Sequence, residues 1–309
     1  ERLKYAVIYG ADAVFIGGKE FSLRSMASNF TLDDIKEGCE FAHAHNARVH
    51  VTCNIVMHEN DTDGILEYVI VTHADQDHIA GFVGPKHNGV YDQGIFGYYE
   101  CSMIIDFPLT NKDTDLYHNY VLVRDEEVAN GATHYNALQC YNETDGAKRT
   151  YELADGIELE ILYNYYYENH TSDENDYSVC CMINQGDKHF LFTGDLEGAG
   201  EKKLVEYNDL PEVEFFKSGH HGSYTANTVD LLSVIKPKVI AVSCVAGSDE
   251  YTKTNANMFP AQAAITNFSS LENVKVYCTR QISDNENGYD RYGSNNRKVM
   301  PRCFDHVLH

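Results

Sequence analysis

The sequence contains 309 residues, with 24 Lys or Arg against 47 Asp or Glu, so its formal net charge is −23. Proteins that hold nucleic acid through its phosphates need a basic surface, and the sequence contains no strong basic DNA-binding patch. No apolar stretch reaches the length of a membrane-spanning helix, so the sequence predicts no membrane segment.

The amino-terminal segment alternates between helix-like and strand-like runs. A helix-like run at 3–10 precedes a strand-like run at 11–18 (ADAVFIGG), and a helix at 31–46 precedes a second strand at 47–54. This alternation with short joints predicts repeated βα units. The runs ADAVFIGG and FSLR (21–24) resemble the start of the collagenase-like peptidase family, which implies a βα-barrel-like fragment. The cysteine-containing signature of that family does not follow, so we carry over no peptidase activity.

An apolar run at 65–72 ends abruptly in the segment His-Ala-Asp-Gln-Asp-His at 73–78. The apolar run predicts a buried strand. The segment after it places four metal-binding side chains within six residues, and imidazole together with carboxylate suits zinc, manganese or iron. The simpler interpretation of the segment alone is a solvated polar loop that carries chance histidines.

Two later strand-like runs end in the same manner. The run at 188–192 is followed by Thr193-Gly194-Asp195, and the run at 212–217 breaks into Ser-Gly-His-His-Gly-Ser at 218–223. Glycines on both sides of the His pair allow a tight turn and a close approach of the backbone. Each segment alone is compatible with an ordinary strand–loop junction. Three strands that each end in metal ligands predict a shared site at one edge of an α/β sheet.

These three segments resemble the metallo-β-lactamase superfamily, with its His-x-[His/Asp]-x-Asp-His motif, its later Gly-Asp and its distal His-His-Gly-Ser. The pattern is most similar to the ComEC-like branch of competence-protein hydrolase domains, over about 65–292. The resemblance implies an α/β fold with an αββα sandwich that lacks its usual first strands. It also implies a metal-ligand set of His73 and Asp75 for one ion, Asp77 and His78 for a second, Asp195 as the bridge, and His220 or His221 to complete it.

The same resemblance assigns roles beyond the ligands. Asp77 is expected to orient the attacking water or carry its proton, and His221 to donate to the developing anion or the leaving group. The third motif of the family is matched by Glu-Asn-Asp-Tyr-Ser-Val at 174–179, with Asn in place of His, so the first ion has fewer ligands. We expect Asn175, Ser178 and Ser223 to lie at the rim of the substrate site.

The implied chemistry is hydrolysis by a hydroxide that one or two divalent ions generate from bound water. Asp75 in place of a histidine hardens the site, so Zn²⁺ and Mn²⁺ both remain candidates. The favoured substrate is a phosphodiester, either a nucleic acid or a small nucleotide, and ester or lactone hydrolysis is the alternative within the same fold. A second alternative is an inactive chimeric fusion that retains the motifs without catalysis.

The two resemblances meet at the polar, glycine-ended stretch 59–64, which predicts a junction. We expect a barrel fragment at 1–58, a hydrolase domain at 65–300 and an unstructured tail at 301–309. A two-unit piece of barrel cannot bury both faces of its strands. The simplest interpretation is a chimeric chain assembled from two unrelated pieces.

The remaining segments predict mostly regular structure. The stretch 84–155 predicts surface insertions and a β-rich rim, and the tyrosines at 163–167 predict a half-buried strand or hairpin. After the His pair, helices are expected at 228–235 and 260–268, and strands at 238–244 and 274–278.

The cysteines are scattered, with no C-x-x-C pair among the nine. This usage favours reduced, mostly buried thiols and a cytoplasmic location, with an extracellular location as the alternative if a leader is missing. Cys180 and Cys181 are consecutive in a probable strand, so their side chains should point to opposite faces.

Overall fold

The computed structural model describes residues 3–4, 7, 13–17, 36–38, 41, 44–45, 48–52, 65–247 and 252–281. The chain divides into two compact units at the boundary between Asp63 and Gly64. The predicted junction at 59–64 and the predicted tail at 301–309 lie outside the described residues. Within the described part, no helix has the length and apolar character to cross a membrane.

The amino-terminal unit contains a pair of parallel strands, β1 (Ala13–Gly17) and β2 (Arg48–Thr52), with Ala13 opposite Arg48. Both strands fall inside the runs that the sequence predicted. Parallel neighbours require a crossover connection of a dozen or more residues, and the segment between β1 and β2 has that length. Leu3 and Val7 are buried, four residues apart on one side of a helical turn.

The second unit contains the remaining elements. Its strands are β3 (Ile65–Ile70), β4 (Lys86–His87), β5 (Val90–Tyr91), β6 (Glu100–Asp106), β7 (Thr133–Asn136), β8 (Thr150–Ala154), β9 (Ile157–Ile161), β10 (Cys181–Gln185), β11 (Lys188–Phe192), β12 (Phe215–Lys217), β13 (Val239–Ala246) and β14 (Lys275–Gln281). Its helices are α1 (Gln76–Val83), α2 (Ile95–Tyr98), α3 (Asp115–Ala129), α4 (Ala137–Asn142), α5 (Gly198–Tyr207), α6 (Val229–Ile235) and α7 (Gln262–Ser269). Short 3₁₀ turns lie at Tyr165–Tyr167, Glu174–Tyr177, Gly219–Gly222 and Asn255–Asn257.

Two sheets organise this unit, and the α/β class predicted from the sequence is confirmed. One sheet has seven strands in the order β14-β13-β12-β11-β10-β9-β8, parallel from β11 to β14 and antiparallel from β8 to β11. The other sheet has the order β3-β6-β7 and is wholly parallel. Because β11 and β12 run in the same direction, the loops that follow them leave from the same edge of the sheet.

Apolar side chains form two cores. One core packs helices α5, α6 and α7 against the seven-stranded sheet, with Leu204, Leu231 and Phe268 against Leu191 and Phe216.

The other core lies between the sheets and extends to α1 and α3. It joins Ile104 of β6 to Ile161 of β9, and it includes Ile79 and Tyr120 from the two helices. Cys180 belongs to the first core and Cys181 to the second, so the prediction that they face opposite sides is confirmed.

The prediction for 84–155 is right in part: the stretch contains the strands β4 to β8, but it is not only a surface region. This stretch supplies the parallel strands β6 and β7, of which β6 is largely buried, and the 15-residue helix α3. The sequence did not reveal α3 because its apolar residues occupy no single face: Leu122 is 60% exposed, whereas Glu127 is buried. His134 lies 2.8 Å from a carboxylate oxygen of the buried Asp106.

The prediction of a strand or hairpin at 163–167 is wrong. Asn164 caps a 3₁₀ turn over Tyr165–Tyr167 by accepting from the N–H of Tyr166. Tyr167 is buried, and its hydroxyl accepts from the N–H of Cys180. A capping hydrogen bond therefore outweighs the strand preference of the aromatic run.

Candidate metal centre

The first His/Asp cluster is positioned by the end of β3 and the start of α1. Val71 N–H donates to Ile105 O of β6, and Val179 N–H, two residues before β10, donates to Thr72 O, so this segment is held from both sides. Asp75 is the residue before α1, and its carbonyl accepts from the N–H groups of His78 and Ile79. Asp77 and His78 therefore lie in the first turn of α1.

Asp195 follows β11 through a glycine turn. Gly194 has φ +57, and a Cβ at this position would lie 2.7 Å from Ser178 Oγ. Asp195 is 2% exposed, and its N–H donates to Ser178 Oγ over 3.0 Å. The tight turn thus directs a buried carboxylate toward the first cluster.

The His pair lies in the turn Gly219–Gly222, where His220 and His221 both have positive φ. Asn227 holds the turn by accepting from Gly219 N–H, and the buried Glu201 accepts in turn from Asn227 N–H. His221 Nδ1 lies 2.7 Å from Ser243 O. Since a carbonyl can only accept, Nδ1 carries the ring proton and Nε2 faces the opposite direction.

Four side chains from the three loops meet at one point. The ligand atoms of Asp77, His78, Asp195 and His221 all lie within 4.8 Å of one another. Asp195 Oδ2 is 3.1 Å from His78 Nε2 and 3.1 Å from His221 Nε2. His221 Nε2 also lies 3.2 Å from Asp77 Oδ2.

The donor set of this cluster fits a divalent cation. Once His221 Nε2 is deprotonated, its lone pair faces two carboxylate oxygens, and within the described residues this nitrogen is buried without a hydrogen-bond partner. Lone pairs that face one another in a buried place require a positive charge between them. Two imidazole nitrogens and two carboxylate oxygens are ligands that zinc and manganese accept.

The pKa values of the cluster also favour a positive charge between these side chains. Burial alone raises the pKa of Asp195, but the adjacent imidazoles of His221 and His78 and the charge of Lys217 outweigh it and hold that pKa well below its usual range. Burial likewise lowers the pKa of His221, and the carboxylates of Asp195 and Asp77 raise it on balance to about 10. The two carboxylates therefore hold a proton on His221 in the metal-free site, and a divalent cation at this point would take the place of that proton.

His73 and Asp75 lie beside this group. His73 is fully buried, its ring centroid lies 4.1 Å from that of His78, and its Nδ1 lies 3.1 Å from Thr72 Oγ1. His73 Nε2 lies 3.6 Å from Asp75 Oδ2 and, like that of His221, has no hydrogen-bond partner among the described residues. The other oxygen of Asp75 forms an ion pair with Lys112.

The structure separates the two histidines of the pair, which the sequence could not distinguish. His221 reaches the cluster, whereas His220 Nδ1 lies 2.9 Å from Glu197 Oε1. The Gly219–Gly222 turn and the carbonyl of Ser243 produce this difference.

Three further residues were predicted at the substrate rim. The amide of Asn175 donates to Asp173, and the hydroxyls of Ser223 and Thr225 lie 2.8 Å apart. Ser178 accepts from the N–H of Asp195. The rim assignment of Asn175, Ser178 and Ser223 stays a prediction.

A cavity of about 420 Å³ opens beside the cluster. Its polar end is formed by Asp77, His78, Lys217 and His221, and its other lining residues are Ser243, Cys244, Val245, Thr252, Phe259 and Thr279.

Two lining residues that were not singled out from the sequence lie against the cluster itself. Lys217 Nζ donates to Gly194 O over 3.0 Å and lies 3.3 Å from Asp195 Oδ1. The ring of Phe259 stacks on His221, with centroids 5.9 Å apart. The position of Lys217 at the end of β12, directly before the Gly-His-His turn, was a usable signal. Phe259 lies in a loop and gave none.

Comparison with known proteins gives different results for different parts of the chain. The model of Peptidase family U32 matches residues 1–80, which extends beyond the predicted limit near His58. The tRNA hydroxylation protein P1 of Bacillus subtilis (strain 168) is 55% identical over 69 residues, 22% of this chain and 16% of that protein.

A longer and weaker similarity connects the chain to competence proteins. ComE operon protein 3 of Bacillus subtilis (strain 168) is 24% identical over 236 residues, 75% of this chain and 25% of that protein. The chain thus spans a quarter or less of the length of these curated relatives.

A solved structure, that of CmlA, a diiron β-hydroxylase from Streptomyces venezuelae, is also similar. It shares 9% sequence identity over 70% of this chain and 40% of its own, with a TM-score of 0.34. A similarity at this level assigns neither fold nor function to the chain.

Proposed function

We propose that residues 65–300 form a metallo-β-lactamase-like hydrolase domain that uses a divalent metal ion, with a phosphodiester as the favoured substrate. The observation that carries the proposal is the buried Nε2 of His221, which faces carboxylate oxygens of Asp77 and Asp195 at 3.2 and 3.1 Å. The packing of helices, two sheets and helices around two cores supports an αββα sandwich. The weak similarity to competence proteins agrees with this assignment.

The domain proposal includes the amino-terminal segment. Residues 1–58 are assigned to a barrel fragment, 59–64 to a junction and 301–309 to a tail, within a chimeric chain. The U32 match at 1–80 and the competence-protein similarity over 75% of the chain support a composite origin.

Asp77, His78, Asp195 and His221 would hold the ion, which is either Zn²⁺ or Mn²⁺. When bound there, a divalent cation supplies Lewis-acid polarisation of a substrate oxygen and lowers the pKa of water. His221 donates its Nδ1 proton to Ser243 O, so its geometry favours a ligand role. The proton-donor role predicted for His221 stays a prediction.

Asp77 is the ligand best placed to handle a proton. Its side chain is 45% exposed and lines the cavity, whereas the side chain of Asp195 is 3% exposed. A carboxylate that reaches the cavity can orient an attacking water molecule and accept its proton.

Lys217 and the apolar wall supply the remaining contacts. The ammonium group of Lys217 lies at the polar end of the cavity, where it can contact an anionic phosphoryl oxygen. Val245 and Phe259 form an apolar surface for the leaving group. The positive charge of Lys217 would attract an anionic substrate but not a neutral ester, which favours the phosphodiester.

The test is a substrate panel on metal-depleted protein reloaded with Mn²⁺ or Zn²⁺. We expect hydrolysis of bis-p-nitrophenyl phosphate to depend on metal and to exceed hydrolysis of a γ-lactone. Asp195→Asn and Asp77→Asn should abolish turnover, and Asp187→Asn, an exposed hairpin change, should leave it unchanged.

Three results would overturn parts of the proposal. Faster lactone hydrolysis would move the substrate to the ester class. Full activity in either cluster variant would refute the site. A correctly folded protein that turns over neither substrate with either metal would favour the inactive fusion.

A further inference from the structure

A lysine lies where a second metal ion would be expected. Lys112 Nζ forms an ion pair with Asp75 Oδ1, and the other oxygen of Asp75 lies 3.6 Å from His73 Nε2. His73 and Asp75 are the two residues that the sequence resemblance assigned to the first of two ions. In the structure, one of these two ligands already has a cationic partner.

The position of Lys112 is fixed by the surrounding chain. The N–H of Lys112 donates to Thr110 Oγ1, and that hydroxyl donates to Glu174 Oε1 over 2.6 Å. Glu174 is buried, and it also accepts from the N–H groups of Asn111 and Ala74. The carboxylate of Glu174 therefore connects residues 110–112 to the His73–His78 segment. This connection distinguishes the ion pair of Lys112 from a chance surface contact.

Too few ligands remain for a second ion. Asp195, the expected bridge, directs Oδ2 toward His78 and His221, and its Oδ1 lies 3.3 Å from Lys217 Nζ. Asn175, at the position of the third motif, donates its amide to Asp173.

Two ligand atoms are therefore available for a second ion, His73 Nε2 and Asp75 Oδ2. Catalytic zinc sites use three protein ligands, so these two atoms are too few. Within the described residues, one group of His, Cys, Asp and Glu side chains could hold an ion. This group includes neither His73 nor Asp75.

We infer that the ammonium group of Lys112 takes the place of a second cation, so that the hydrolase centre holds one divalent ion. The inference rests on the proposed metal site at Asp77, His78, Asp195 and His221. A lysine ammonium neutralises Asp75 and repels a further divalent ion at the same carboxylate. Removal of the ammonium frees both oxygens of Asp75, which with His73 Nε2 make three ligand atoms.

The experiment counts bound ions by equilibrium dialysis against excess Mn²⁺, followed by elemental analysis. We expect one ion per chain in the unmodified protein and two in Lys112→Met. Electron paramagnetic resonance provides a second readout, because two neighbouring Mn²⁺ ions are exchange-coupled and a single ion gives a six-line spectrum. Lys86→Met removes another lysine–aspartate pair, with Asp115, and should keep one ion.

Asp75→Asn provides a test that does not depend on Lys112→Met folding. If Asp75 pairs with Lys112 and not with metal, this variant keeps its one ion with an unchanged dissociation constant. Asp195→Asn should bind none.

Each outcome decides between the assignments. Two ions in the unmodified protein, one ion in folded Lys112→Met, or loss of the ion in Asp75→Asn would each overturn the role of Lys112. No ion in the unmodified protein would instead refute the metal centre of the proposed function.

Discussion

Gly194 offers a direct test of how the fold places Asp195. In Gly194→Ala, the new Cβ would lie 2.7 Å from Ser178 Oγ, 2.8 Å from Ser178 Cβ and 3.0 Å from Thr72 Cβ. Its φ of +57 also lies in the left-handed region. The backbone conformation costs an alanine about 1 kcal/mol, and crowding in a packed site costs about 1–3 kcal/mol. We expect a loss of about 2–4 kcal/mol in the free energy of unfolding.

Gly186 provides a matched control in the turn between β10 and β11. Its φ is +59, and of the described residues none has an atom within 4 Å of a Cβ built there. Gly186→Ala therefore carries the backbone penalty alone, about 1 kcal/mol. The effect of alanine on the unfolded chain is similar at both positions.

Urea denaturation of both variants measures the difference. A lower midpoint with an unchanged slope reports a change in stability alone. We also expect weaker Mn²⁺ binding in Gly194→Ala, because relief of the contact with Ser178 moves Asp195. Equal destabilisation of the two variants would show that the contact with Ser178 and Thr72 does not constrain the turn.

Three further predictions concern buried charge, a buried hydrogen-bond acceptor and the metal. Burial raises the pKa of Asp176 from 3.8 to about 6, so the native state binds the proton more tightly than the unfolded chain. Stability from this group is fully present below pH 3.8 and is lost as the pH rises through 6, by about 3 kcal/mol. In urea titrations, Asp176→Asn should remove this fall in the free energy of unfolding between pH 4 and pH 7. An unchanged pH dependence of stability would contradict the raised pKa of Asp176. Glu201 accepts from two backbone N–H groups at 2.6 and 2.7 Å. Glu201→Ala should lower the free energy of unfolding by about 2–6 kcal/mol, whereas Glu206→Ala, at an exposed position, should change it by about 0.5 kcal/mol or less. Similar urea midpoints for the two variants would contradict the stabilising role of Glu201. Chelation should lower the melting temperature of Mn²⁺-loaded protein, since free ion at about 100 times its Kd adds about 2.7 kcal/mol. Asp195→Asn should melt at one temperature with and without the ion, and a metal-dependent shift in that variant would place the ion elsewhere.

The strands around the candidate site could be predicted because their signals are local. The run at 65–72, the end of β11 and the Gly-His-His-Gly turn each combine an apolar stretch with ligand-type residues a few positions later. Helix α3 had no such signal, because Glu127 is buried and Leu122 is exposed. Burial of Glu127 depends on Cys101, whose N–H donates to it from a strand 26 residues away.

The sequence by itself determined which residue types end each strand, and therefore that imidazole and carboxylate groups would be available at one sheet edge. The tertiary structure decided which of them meet. His221 rather than His220 faces Asp195 because a carbonyl on β13 accepts its Nδ1 proton. Asp75 pairs with Lys112 because a loop tied to Glu174 delivers the lysine. Spacing along the chain shows which side chains follow the same strand. Their partners lie in distant segments, which only tertiary packing brings within hydrogen-bond distance.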